Sequence, residues 1–437
     1  MKEIKLENLE VMHDNYENDT INQIVRNALD NNSIKNIVKV KKEEQNVLYN
    51  FSINLDTLKV ANQKVSGRCW IFAGCNVIRE IIAKKYNLKD FELSQSYIAF
   101  YDKLERSNYI MNTLIDLKDR DIDDRERYHI LTTGLEDGGQ WDMFVNIVNK
   151  YGIVPKTVMD ETYQSSNSSE VNYLLNRKIR QFASVIPTYE DDLISLKNLY
   201  LEDIYRILVD CYGSIPKVFD FEYTTKDKEY HIIKDLTPLK FYQDYSGIDL
   251  NDYISIINSP TKDKPFNKTY TVRYLGNVIE GSRVLYLNLD IDTFKEKVLA
   301  QLKDNAPVWF GSDCSKAFDR EKGIFDDKLF NYNDPFKTDF TMDKSNLLDY
   351  YEAAMNHAMV LTGVNIENEV PTKWKIENSW GEEKGDKGYY VASASWFDKY
   401  VFQAVINKKY LTSSEVALLN EEPTVLKPWD PMGTLAK

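Results

Sequence analysis

Helical and strand-like patterns segregate along this chain, and that segregation constrains its fold more than any other feature. Residues 69–86, "CWIFAGCNVIREIIAKKY", are apolar nearly all round at first and carry a polar face later, as a helix entering a core does. Ser66 and Gly67 suit the turn before it. Residues 94–104 read as a second helix with Ser94 as N-cap. Residues 141–151 read as a third, preceded by Gly138–Gly139 and stopped by Gly152 and Pro155. The stretch 170–212 is strongly helical, and 20–29 has a helical pattern inside a polar N-terminal region. The later half is different. "RVLYLNLD", "APVWFGSD", "HAMVLTGV", "KWKIENSW" and "GYYVASASW" have strand composition, with an amphipathic helix at 292–304 among them. Helices early and strands late indicate an α+β architecture, not a doubly wound parallel sheet.

Composition narrows the function classes. Of 437 residues, 43% are hydrophobic and 13% aromatic, enough for a packed core. The net charge of −13 opposes binding to phosphate backbones, so nucleic acid is not an expected partner. The basic run "KVKK" at 39–42 is followed at once by Glu43 and Glu44 and reads as a solvated face. The N-terminal "MKEIKLENLE" lacks the apolar core of a secretory signal, and no run approaches the ~18 apolar residues of a membrane span. Four cysteines (Cys69, Cys75, Cys211, Cys314) and four histidines (His13, His129, His231, His357) are scattered without ligand spacing. The expectation is a reduced, cytoplasmic protein with no metal and no organic cofactor.

Cys69 stands at the first turn of its helix, where the backbone dipole favours a thiolate. A nucleophilic thiol also needs a base, and the search is short. His13 lies in the polar N-terminal region, His129 follows the charged "DRDIDDRERY", and His231 sits within "KDKEYHII". His357 opens the apolar run "HAMVLTGV". By itself that is the setting of an ordinary core histidine. Asn378, 21 residues further on and followed by Ser379–Trp380–Gly381, changes the weighting. A side-chain amide oxygen accepts an imidazole N–H and fixes its tautomer, and a tryptophan can cover that bond from water. Gln63, six residues before Cys69, supplies an amide donor for an oxyanion.

Glutamine, cysteine, histidine and asparagine in this order resemble the papain-like cysteine peptidases. "GRCW" resembles the nucleophile motif of that superfamily, "NSWG…KGYY" its asparagine strand, and "APVWFGSD" the strand crossing its histidine-bearing sheet. The chain departs from the secreted members in having Ser66 where they carry a disulfide cysteine. It also separates Cys69 from His357 by far more than their ~130–150 residues. "NQKVSGRCWIFA", "DGGQWDM" and "KPWDPMGTLAK" are similar to the branch that holds bleomycin hydrolase and aminopeptidase C.

That resemblance implies one papain-like catalytic unit over residues 1–437, a helical half plus an antiparallel sheet half, with mainly helical insertions at about 102–136 and 160–290. It implies Cys69 as nucleophile, His357 as base, Asn378 as the residue orienting it, and Gln63 as oxyanion donor. Substrate would meet Gly138 and Gly139 on the non-primed side, Trp380, and a C-terminal arm, residues 423–437, lying in the cleft. The terminal carboxylate would pair with the substrate's ammonium. Some relatives end on the alanine, so Lys437 is expected to be self-removed, leaving Ala436 as the terminus. The implied activity is an aminopeptidase acting on peptides with free N-termini through an acyl-enzyme, assembled as a homohexamer. The alternatives are a non-catalytic nucleic-acid-binding ring and an endopeptidase with its arm out of the cleft.

Overall fold

Burial of the helix Cys69–Lys85 organises the helical half. Its first three turns are buried on every side, and only its end exposes Lys84 and Lys85, where cations suit the helix dipole. It packs against the helices Gln95–Asp116 and Trp141–Tyr151. The computed structural model describes residues 3–46 and 48–436. Ser94 caps its helix, its Oγ accepting from Tyr97 N at 3.1 Å. That helix runs to Asp116, well beyond the expected end at 104. The sequence pattern hid the extension because Asp102, Lys103, Glu105 and Arg106 look like surface residues but are buried in polar pairs. The stretch 170–212 forms two helices, Ser169–Val185 and Leu193–Tyr212, separated by a turn carrying Pro187.

The other half is one twelve-stranded sheet among the described residues. At its centre Val401–Asn407, Val308–Ser312, His357–Glu367, Val370–Glu377 and Tyr389–Ser393 follow one another as antiparallel neighbours. The flanks are mixed. Tyr253–Ile257 runs parallel to Tyr286–Asn288, Lys268–Val272 to Thr424–Leu426, and Tyr389–Ser393 to Ile324–Phe325. The expected α+β class stands, with a sheet antiparallel at its centre and partly parallel at its flanks. The segment "GYYVASASW" is a strand only to Ser393. Ser393 Oγ then accepts from Trp396 N at 3.2 Å and caps the helix Ala394–Tyr400.

One apolar core joins the halves. Trp309 in the sheet donates its Nε1–H to Trp70 O at 3.2 Å, tying a central strand to the first turn of the Cys69 helix. The helix Ile291–Lys303 covers the sheet with Phe294, Val298 and Leu302. Of the basic run 39–42, Lys41 and Lys42 are exposed, while Lys39 pairs with Asp319 at 2.5 Å. Among the described residues no helix is long and apolar enough to cross a membrane. Cys69, Cys75, Cys211 and Cys314 are all free thiols.

Candidate active site

The turn Ser66–Gly67–Arg68 presents Cys69, and two buried clamps hold it. Gly67 N donates to Asp137 Oδ2 at 2.8 Å. The same carboxylate takes Lys103 Nζ at 2.6 Å, Asn172 Nδ2 at 3.0 Å and the Ser168 hydroxyl. Burial alone would raise the Asp137 pKa; Lys103, Ser168 and Gly67 more than offset that and hold it well below the usual carboxylate range. Arg68, fully buried, makes the second clamp with bonds of 3.1 and 2.8 Å to the two oxygens of Glu161. Arg68 is the N-cap residue and has no acceptor atom in its side chain, so no side chain caps the Cys69 helix. Its first N–H groups stay available to the sulfur and to substrate. Asp137 also accepts Trp70 Nε1–H through its carbonyl at 2.6 Å. Gly138–Gly139 follows directly. A Cβ on Gly139 would stand 2.4 Å from Trp70 Cε2, so only glycine fits over that indole. The clamping roles of Lys103, Asp137 and Glu161 escaped the sequence reading, since a lone charged residue, whether on a helix or in a loop, carries no spacing signal.

Four side chains converge in front of this turn. Cys69 Sγ accepts a 3.3 Å bond from Ala358 N, the residue after His357. His357 Nε2 lies 2.8 Å from Asn378 Oδ1. Ser379 N also donates to that oxygen at 2.8 Å, which fixes the amide with its acceptor toward the ring. Nε2 therefore carries the hydrogen, and Nδ1 is left as the acceptor. Trp380 stacks on the imidazole with centroids 4.8 Å apart and planes at 26°. Gln63 Oε1 accepts from Ser379 Oγ at 2.5 Å, and its Nε2 donates to Ser66 O at 2.6 Å. An amide nitrogen carries two hydrogens, so a second remains to donate.

Burial governs the electrostatics. It pushes the Cys69 thiol up to about 11, against the smaller downward pull of the N–H groups of Ala358, Trp70 and Cys69. It pushes the His357 imidazolium down to about 4; the Asn378 bond opposes that and Arg320 adds to it. Both shifts favour the neutral thiol–imidazole form of the pair.

Comparison with known proteins points the same way as the geometry. The sequence model of the Peptidase C1-like family matches residues 3–433. The chain belongs to the Peptidase C1-like family. Aminopeptidase C of Lactobacillus delbrueckii subsp. lactis is 44% identical over 100% of this chain and 99% of its own. Bleomycin hydrolase of Gallus gallus is 39% identical over 86% of each. The crystal structure of PepW from Lactobacillus rhamnosis superposes with a TM-score of 0.97 at 47% identity, covering 99% of both chains.

In this peptidase the C-terminal segment reaches the same region. Thr424–Leu426 adds a strand beside Lys268–Val272, and Pro431–Ala436 then turns as a short 3-10 helix. Met432 and Leu435 are buried. Tyr286 OH donates to Met432 O at 3.0 Å, and Lys264 pairs with Asp430 at 3.1 Å. A Cβ on Gly311 would lie 3.5 Å from Leu435 Cδ2. Gly311 pairs in the sheet with Ala358, the residue on Cys69 Sγ. Ala436 is half-buried, and Lys437 lies outside the described residues. The other histidines stand apart from the cluster. His13 is exposed, His231 stacks on Tyr223, and His129 approaches Trp429 of the C-terminal segment edge-on at 6.1 Å.

Proposed function

We propose that this peptidase removes N-terminal residues from peptides through an acyl-enzyme thioester, and that its own C-terminal carboxylate selects substrates with a free amine. The coarser part, a cysteine-type aminopeptidase, follows from family membership and from relatives named aminopeptidase C and bleomycin hydrolase along nearly the whole chain. The observation that carries the finer part is the burial of Leu435 against Gly311, next to the strand position that touches Cys69. A chain end held there blocks one side of the cleft. Its carboxylate then acts as a ruler, attracting an α-ammonium and leaving no room for a longer peptide on that side.

The chemistry runs through the four converged side chains. The Cys69 proton passes to His357 Nδ1 as sulfur attacks the first peptide carbonyl. Gln63 Nε2–H and the backbone N–H of Cys69 bind the resulting oxyanion, each donor worth ~3–4 kcal/mol in comparable enzymes. His357 returns its proton to the leaving amine, and the C–N bond breaks. Water, deprotonated by the neutral imidazole, then cleaves the thioester. Gly138–Gly139 provides backbone on the acyl side, and Trp380 shields the His357–Asn378 bond.

The proposal extends to location and assembly. Unpaired cysteines support a reducing, cytoplasmic setting. Homohexamer formation is supported by the N-terminal helices Leu6–Glu17 and Thr20–Leu29, which bury no residue of their own. Self-removal of Lys437 is checked by intact mass of the wild type and of Cys69→Ala; retention of Lys437 in both overturns it. The central test is a pair of fluorogenic substrates, one with a free N-terminal amine and one with the same residue N-acylated. Turnover of the free amine alone, lost in Cys69→Ala, is the expected result. Equal turnover of the acylated substrate means that the arm does not gate the cleft and the protein is an endopeptidase.

A further inference from the structure

Arg320 stands at the mouth of the site with its charge uncommitted. It lies in the short connection between the strands Phe318–Asp319 and Ile324–Phe325, exposed to solvent. Its neighbours are engaged: Asp319 pairs with Lys39 at 2.5 Å, and Glu321 pairs with Lys384. No ion pair among the described residues involves Arg320 itself. What holds it is an aromatic face. Its guanidinium carbon lies 4.8 Å from the centroid of the Trp380 ring. Trp380 in turn stacks on His357 at 4.8 Å. The guanidinium is thus no more than two stacking distances from the imidazole, close enough that its charge helps depress His357.

The reaction gives that position a meaning. His357 protonates the leaving amine, so the departing segment lies on the histidine side, away from the C-terminal arm. An extended peptide advances ~3.3 Å per residue. The first or second residue of the departing segment therefore comes level with Trp380 and Arg320. A planar guanidinium already held over an indole at 4.8 Å loses little freedom when a carboxylate pairs with it.

We propose that Arg320 is a specificity-determining residue on the leaving-group side, binding a carboxylate of the departing segment. The carboxylate has two sources: the free C-terminus of a dipeptide, or an Asp or Glu side chain just beyond the scissile bond. The inference rests on the proposed direction of substrate binding. On that basis the peptidase favours short acidic peptides and the dipeptides that end a degradation series.

The test uses full-length protein and two matched pairs. One is a dipeptide with a free C-terminus and the same dipeptide amidated. The other is a tripeptide amide with Glu or with Gln after the scissile bond. The reading is the ratio of kcat/KM within each pair, so any general effect of a substitution cancels. In wild type the anionic member of at least one pair is favoured roughly three- to tenfold, the range of a partly exposed charged contact, and less at high salt. Arg320→Gln is expected to abolish that preference, Arg320→Lys to keep much of it, and Arg320→Glu to reverse it. Preference confined to the first pair assigns the C-terminal carboxylate; preference confined to the second assigns the side chain. Equal rates within both pairs in wild type, or ratios unchanged in Arg320→Gln, overturn the proposal. Cleavage of N-acylated versions at undiminished rate overturns the arm as a ruler and leaves the Arg320 ratios readable, so the two failures are distinct.

Discussion

Cys69 and His357 are poised by burial rather than by charge. Burial takes the thiol up to about 11 and the imidazolium down to about 4, so over a wide pH range the pair holds one proton, whichever atom carries it. Activity is lost when the pair gains a second proton, and that limb follows the depressed imidazole. The alkylation rate of Cys69 by iodoacetamide is therefore expected to fall only well below pH 6.5, toward about 4. A limb at or above 6.5 would sink this account. Under the proposed ruler mechanism, turnover of a free-amine substrate is expected to gain a different alkaline limb near ~8, where its ammonium deprotonates and would lose the C-terminal carboxylate. Gln63→Ala is expected to lower kcat by ~10²–10³ with KM little changed, because its second amide hydrogen is used only as charge builds on the oxyanion. A KM effect alone would instead make Gln63 a ground-state contact. Gln63 and Cys69 were legible in the sequence because they share one compact motif, and Asn378 and Trp380 because they share another; His357 was singled out only by comparison of the four histidines. Asp137 and Arg68 were not legible in their roles, since a carboxylate buried on a lysine leaves no local trace in the sequence.

At the scale of elements, the site depends on a turn held from behind. Lys103 is buried, and Asp137 is its ion-pair partner. Asp137→Ala strands that cation and frees Gly67 N–H, and breaking a buried pair in this way costs ~3–5 kcal/mol. Urea unfolding should show the loss, and the residual folded enzyme should have a depressed kcat because the Cys69 turn is unclamped. Asp137 holds its charge at unusually low pH, so its contribution is fully present above the ordinary carboxylate range and declines as pH falls through it. Gly139→Ala tests the other face of the turn. Its Cβ would overlap the Trp70 ring at 2.4 Å, and overpacking of that kind costs about 1–3 kcal/mol. A Tm indistinguishable from wild type would show that the indole moves aside freely. Helices with an apolar stripe and a clear stop were legible from sequence, and Trp141–Tyr151 has the bounds its flanking glycines indicate. The helix Ala394–Tyr400 was not, because its tryptophan and tyrosine carry strand composition and only the Ser393 cap marks the change.

At the scale of the whole molecule, the sheet gathers strands from sequence-distant segments, and such pairings have no local signature. The parallel pairs at its flanks were illegible for that reason, whereas four of the five central strands announced themselves by composition and Val401–Asn407 did not. The N-terminal helices raise the converse problem, a pattern without a partner. On Leu6–Glu17, Leu9, Met12 and Tyr16 recur at helical spacing, and on Thr20–Leu29 so do Ile21, Ile24 and Ala28. Met12 is 62% exposed and Ile24 63%, and neither helix buries a single residue. An apolar stripe on a helix is stable in water only when something covers it, and a stripe this long marks an interaction surface. The homohexamer proposed above would cover it without a second gene product. Ile21→Glu with Ile24→Glu places two charges in that stripe and leaves the catalytic half untouched. Light scattering after size exclusion should show wild type as a hexamer and the double variant as a smaller species. The variant should still cleave a short free-amine substrate, since the residues around Cys69 come from one chain. A variant that stays at the wild-type mass would remove these helices from the interface and leave their exposed stripe unexplained.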